Sequence, residues 1–101
     1  MSDHKPPEAC ADMPELRQQI DMLDAELIRL LRVRAGYIDR AIGLKQQNGW
    51  PARIPDRVEE VVENVRRRAM AEGLDPDLAE DLWRPLIDWS IAREARVIRE
   101  T

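Results

Sequence analysis

Apolar residues recur through the first half of the chain at alternating steps of four and three: Leu16, Ile20, Leu23, Leu27, Leu30, then Tyr37, Ala41 and Leu44, with Arg34 standing where another apolar residue is due. This spacing predicts a helix that starts near Asp12 or Pro14 and carries a coiled-coil-like stripe for about 30 residues, roughly 45 Å at the helical rise. A compact domain of 101 residues has no use for so long a helix, which predicts that another chain leans on it. The segment QQNGWPARIP interrupts the pattern with Gly49, Pro51 and Pro55 and is expected to be a loop. A second helix is predicted from about Pro55, buried through Val58, Val61, Val62, Val65 and Ala69 and stopped by Gly73. Asp75 followed by Pro76 supplies an N-cap and a first-turn proline for a third helix running towards Arg99. Its inner face holds Leu82, Trp83, Leu86, Ile87, Ser90, Ile91, Glu94 and Ile98, and Pro85 within it predicts a bend rather than a break.

Composition agrees with an all-α class: 36% of residues are charged, there is no Phe, and a β-sandwich or barrel has little material to draw on. The fold expected is a three-helix protomer with a long N-terminal helix. Residues 1–12, rich in proline and polar groups, read as a flexible tail before a helical domain over 13–101. A single cysteine (Cys10) and a single histidine (His4), both in that tail, offer no disulfide, zinc site or histidine-based triad. The net charge of -4 argues against a general nucleic-acid binder, and the arginines 66–68 are interleaved with Glu60, Glu63 and Glu72 as on a solvated helix face. No apolar run approaches the roughly 18 residues of a membrane span, and no signal peptide is evident, so the expected location is cytoplasmic.

Charges on the buried faces carry the chemistry. Arg34 and Glu94 both occupy apolar seams, and Ser90 lies one turn before Glu94. Buried charges need partners. One reading pairs Arg34 with Glu94 to fix helix register. The other notes that Arg34 and Lys45, 11 residues apart, share a helix face, about 20° and about 16 Å from one another. Two cations leaning together across that gap leave room for a small dianion. Arg17 is about 25 Å of helix away from Arg34 and can reach such a ligand only from a neighbouring chain.

The stretch ELRQQIDMLDAELIRLLRVRAGYIDRAIGLK, with Leu16-Arg17, Asp24, Arg34, Lys45 and then Arg57 in register, resembles the first helix and second-helix start of the all-helical chorismate mutases; LIDWSIARE extends the likeness to about residue 98. The resemblance implies an intertwined homodimer of three-helix protomers with two active sites, each completed by Arg17 of the other chain. It further implies that Arg17 and Arg34 hold substrate carboxylates, that Lys45 binds a carboxylate and the ether oxygen, and that Arg57 lines the same site. Ser90 would sit beside a carboxylate, Ile87 and Ile91 would form apolar wall, and Glu94 would replace a glutamine that donates to the ether oxygen. The catalytic set implied is therefore Lys45, Glu94 and Arg34. One departure is Val58, where some members carry a glutamate after the arginine.

The activity so implied, chorismate to prephenate, is an intramolecular pericyclic rearrangement that needs no cofactor and no metal. The site has to hold a dianion in its compact conformer and stabilise charge on the breaking ether oxygen. Isochorismate pyruvate lyase, which resembles this chain in having valine after the arginine at position 57, is the alternative activity; a mutase acting on an amino-substituted chorismate is a lesser one. A helical dimer without catalysis is the reading from a different class, and stabilisation by the dianion distinguishes it.

Overall fold

The computed structural model describes residues 4–98. Three α-helices follow a short 3-10 turn at Pro7–Ala9: α1 is Met13–Asn48, α2 is Pro55–Glu72 and α3 is Pro76–Ala95. No strand occurs among the described residues. The chain divides after Gly36 into two compact units.

In the first unit, Asp12 caps the start of α1, its carboxylate accepting the Glu15 N–H at 2.9 Å and its carbonyl the Leu16 N–H at 3.1 Å. The segment read above as a tail makes specific contacts with this part of α1. The Lys5 N–H donates to Gln19 (2.9 Å), the Ala11 N–H to Glu15 (3.2 Å), and the His4 ring lies 3.2 Å from the Glu26 carboxylate. A shallow groove between segment and helix is lined by His4, Pro7, Cys10, Leu16, Ile20 and Leu23. None of the site residues expected from the sequence lies in it. The predicted seam is bare: Ile20, Leu23, Leu27 and Leu30 are 44–58% exposed, and α1 buries no residue at all.

The second unit contains the packed part of the chain. Its core is small, with Ala52, Val62, Ala69, Ala79, Ile87 and Ile98 buried where α2 and α3 meet and where the α1–α2 loop folds in. Val58, Val61 and Val65 complete the α2 face half-buried, as the valine spacing predicts. Along α3, Ile87, Ser90 and Glu94 are buried and Trp83, Leu86 and Ile91 half-buried, whereas Leu82, expected inside, is exposed. Helix α3 continues unbroken through Pro85.

Helix ends follow local chemistry. Gly73 adopts φ 78° and closes α2, with the Leu74 N–H reaching the Ala69 carbonyl at 2.8 Å. Asp75 caps α3 by accepting the Asp77 N–H at 2.9 Å, with Pro76 in the first turn. Two boundaries differ from the sequence reading: α3, expected to run towards Arg99, ends at Ala95 and leaves Ile98 beyond it, and α1 runs on through Gln46, Gln47 and Asn48, which were expected to open the loop. None of the three breaks a helix; Gly49, at φ 71°, is the first residue able to turn the chain into the left-handed region. Between α2 and α3, Arg66 bridges Asp77 and Glu80, and Arg84 bridges Glu80 and Glu59. The Arg84 guanidinium holds the Glu59 and Glu80 carboxyls below the ordinary range.

Candidate active site

Lys45 lies in the last turn of α1, and the way that helix ends decides what its ammonium meets. Gly49 N–H donates to the Gln46 carbonyl (3.3 Å) and Trp50 N–H to the carbonyl of Lys45 itself (2.8 Å), a Schellman closure that reverses the chain. The reversed loop brings Ala52 back, 2% exposed, with its carbonyl oxygen 2.6 Å from Lys45 Nζ. The second partner comes from the last turn of α3. Glu94 places its carboxylate oxygens 3.0 and 3.2 Å from the same Nζ. The Glu94 side chain is 4% exposed and that of Lys45 18%, so neither charge is well hydrated and each needs the other. Glu94 also holds the end of α3 by accepting Val97 and Ile98 N–H on its carbonyl, at 3.0 and 2.8 Å.

The remaining α3 positions singled out in the sequence lie in the same unit. Ser90, buried, donates its hydroxyl to the Leu86 carbonyl at 2.9 Å, the back-bond open to a serine inside a helix. Ile87 is buried and Ile91 half-buried. Arg57, in the first turn of α2, is exposed and paired with Glu60. In the first unit Arg34 is half-buried and Arg17 exposed. Thus Lys45 and Glu94, two positions 49 residues apart, are in direct contact. Glu94 has a half-buried cation beside it in Lys45.

Sequence reasoning missed three features. The Ala52 carbonyl carries no side-chain signal, since burial of a loop alanine is a consequence of packing. Arg53, next to it, pairs with Asp88 of α3 at 3.1 Å. Arg93 pairs with Asp39 of α1 at 2.5 Å and lies 5.5 Å from the centre of the Trp89 ring. The hydrogen bond from Arg93 holds the Asp39 carboxyl below its usual range. Opposite charges 35 and 54 residues apart in sequence have no periodic relation that would reveal such pairs.

Chemically, the site offers an oriented ammonium, with a carboxylate that accepts hydrogen bonds when ionised and donates one when protonated. Such a group stabilises charge on an oxygen atom. Among the described residues no group of three or more His, Cys, Asp or Glu side chains could hold a metal ion, and no helix is long and apolar enough to cross a membrane.

Comparison with known proteins gives this geometry a context. Residues 16–95 match the family described as chorismate mutase type II. The chain is 32% identical over 98 residues to an isochorismate pyruvate lyase of Pseudomonas aeruginosa, covering 96% of this chain and 95% of that one. It is 22% identical over 89 residues to a chorismate mutase of Methanocaldococcus jannaschii, covering 88% and 90%. A T-protein of Enterobacter agglomerans is 33% identical over 84 residues, and there the chain spans only 22% of the relative's length.

Proposed function

The chain belongs to the chorismate mutase type II family, and from that premise we propose that it rearranges chorismate to prephenate. The observation that carries this reading is the Lys45 ammonium, fixed between Glu94 and the Ala52 carbonyl at the junction of α1, loop and α3. In the proposed reaction Lys45 donates to the ether oxygen, where negative charge grows as the C–O bond breaks, and also grips a carboxylate. Glu94, when protonated, is the second donor to that oxygen. Arg34, Arg57 and a partner's Arg17 hold the dianion in its reactive conformer, with Ser90 beside a carboxylate and Ile87 and Ile91 as apolar wall. The protein supplies position and charge, and the bond changes occur within the substrate.

The active assembly we propose is an intertwined homodimer. Its support is the uncovered stripe of α1: Leu27 and Leu30 are 58% and 51% exposed and Tyr37 74%. Apolar side chains repeating along one helix at this exposure call for a second copy. A cytoplasmic location suits a small polar dianion as substrate.

A second reading has specific support. The lyase relative matches nearly the full length of both chains, and Val58 after Arg57 is the feature on which the sequence resembles that group. That activity would use the same dianion grip to release pyruvate from isochorismate. Incubating the protein with chorismate and with isochorismate in parallel decides between them. Prephenate from the first supports the mutase; salicylate and pyruvate from the second support the lyase; turnover of neither, with no thermal stabilisation by either dianion, refutes both.

A further inference from the structure

The α1–α2 loop reaches the Lys45 ammonium through the peptide unit joining Ala52 to Arg53. Its carbonyl oxygen accepts from Lys45 Nζ at 2.6 Å, and the residue on its other side, Arg53, extends across to Asp88 of α3 at 3.1 Å. The same α3 carries Glu94, which grips Lys45 from the opposite side. Three elements are thereby tied in a closed circuit: α1 to the loop through Lys45, the loop to α3 through Arg53, and α3 back to α1 through Glu94. At its ends the loop is fastened by backbone bonds, Trp50 N–H to the Lys45 carbonyl and Arg57 and Val58 N–H to the Ile54 carbonyl. Between those ends lie Pro51, Ala52 and Arg53.

We infer that the Arg53–Asp88 pair is a latch that holds the Ala52 carbonyl against Lys45, making Arg53 and Asp88 positioning residues for the ammonium. The physical reason lies in what Glu94 has to do. A carboxylate that turns from Lys45 to a substrate oxygen, or becomes protonated, stops anchoring the lysine, whose long stem has many rotamers. A backbone carbonyl does not titrate and has no other task, so it keeps the ammonium in place through that change. The latch keeps the carbonyl in place. Arg53 is exposed, and the alternative for a cation at this spot is that it touches the dianion itself. That alternative makes no use of Asp88.

The inference rests on Lys45 being the substrate-facing cation proposed above, and its test has one readout that does not. Lys5 and Lys45 are the chain's two lysines, so trinitrobenzenesulfonate labelling, mapped by mass spectrometry, reports Lys45 protection with Lys5 as internal reference. Arg53→Gln and Asp88→Asn should each speed Lys45 labelling and lower kcat/KM by about two- to fivefold, the scale of an exposed ion pair. The exchanged pair, Arg53→Asp with Asp88→Arg, should recover most of both losses. Circular dichroism establishes that each variant folds. If the wild type turns over neither chorismate nor isochorismate, the proposed function falls while the labelling still decides the latch. Labelling unchanged in both single variants overturns the latch, and so does a loss of activity confined to Arg53→Gln, which would make Arg53 a direct substrate contact.

Discussion

Replacing Glu94 by glutamine keeps the shape of the side chain and removes its charge, at a position where both consequences can be sized. In the native protein the carboxylate accepts from Lys45 at 3.0 and 3.2 Å with 4% of the side chain exposed. A charge-assisted bond contributes roughly 1.5–3 kcal/mol against roughly 0.5–1.5 for a neutral one. The amide keeps one acceptor for the ammonium, and the Ala52 carbonyl remains at 2.6 Å. Glu94→Gln should therefore cost about 1 kcal/mol of stability. Glu94→Ala leaves the half-buried cation with the carbonyl alone and should cost about 3 kcal/mol, at the lower end for a broken buried pair. For catalysis the two variants should separate further. A glutamine amide is an unconditional hydrogen-bond donor, so Glu94→Gln should keep or raise activity if this side chain donates to the ether oxygen. Glu94→Ala should lose about 10²- to 10³-fold, the scale of a deleted oxyanion donor. Denaturant melts give the stabilities, and prephenate formation gives the activities. An inactive glutamine variant would refute the donor role and leave Glu94 as a structural partner of Lys45.

If Arg17 acts across the dimer, co-refolding Arg17→Ala with Arg34→Ala chains should restore about a quarter of wild-type activity, one intact site in each heterodimer and heterodimers half of the mixture; no recovery would place both arginines in one chain's site. The carboxyls of Asp39, Glu59 and Glu80 are held below their ordinary values by Arg93 and Arg84. Each therefore adds stability that is complete above its unfolded pKa and is lost as pH falls from there through the depressed folded value. Denaturation midpoints measured from neutrality to about pH 2 should fall on the acid side, and Asp39→Asn should make that fall shallower. Gly49→Ala meets no atom within 4 Å yet forces a side chain to φ 71°, so it should destabilise by about 1 kcal/mol through backbone strain alone; a neutral melt would show that the loop can turn without the left-handed residue.

The three helices were legible in the sequence because each is written locally. A period of three and four marks the stripes, Asp75-Pro76 starts a helix by chemistry confined to one turn, and Gly73 and Gly49 stop helices because of the φ they permit. The charged positions on apolar seams were legible for the same reason, and their register along the helices carries the resemblance to the chorismate mutases. Long-range pairing had no such code. Lys45 meets Glu94 across 49 positions, Arg93 meets Asp39 across 54, and Ala52, a loop residue with a methyl side chain, supplies the carbonyl that orients the ammonium. Backbone acceptors look alike in sequence, and only packing decides which of them is buried beside a cation. The bare stripe of α1 joins the two kinds of information: its periodicity is local and legible in the sequence, but only the folded chain shows that its apolar side chains stay exposed, because burial is a property of packing and not of spacing.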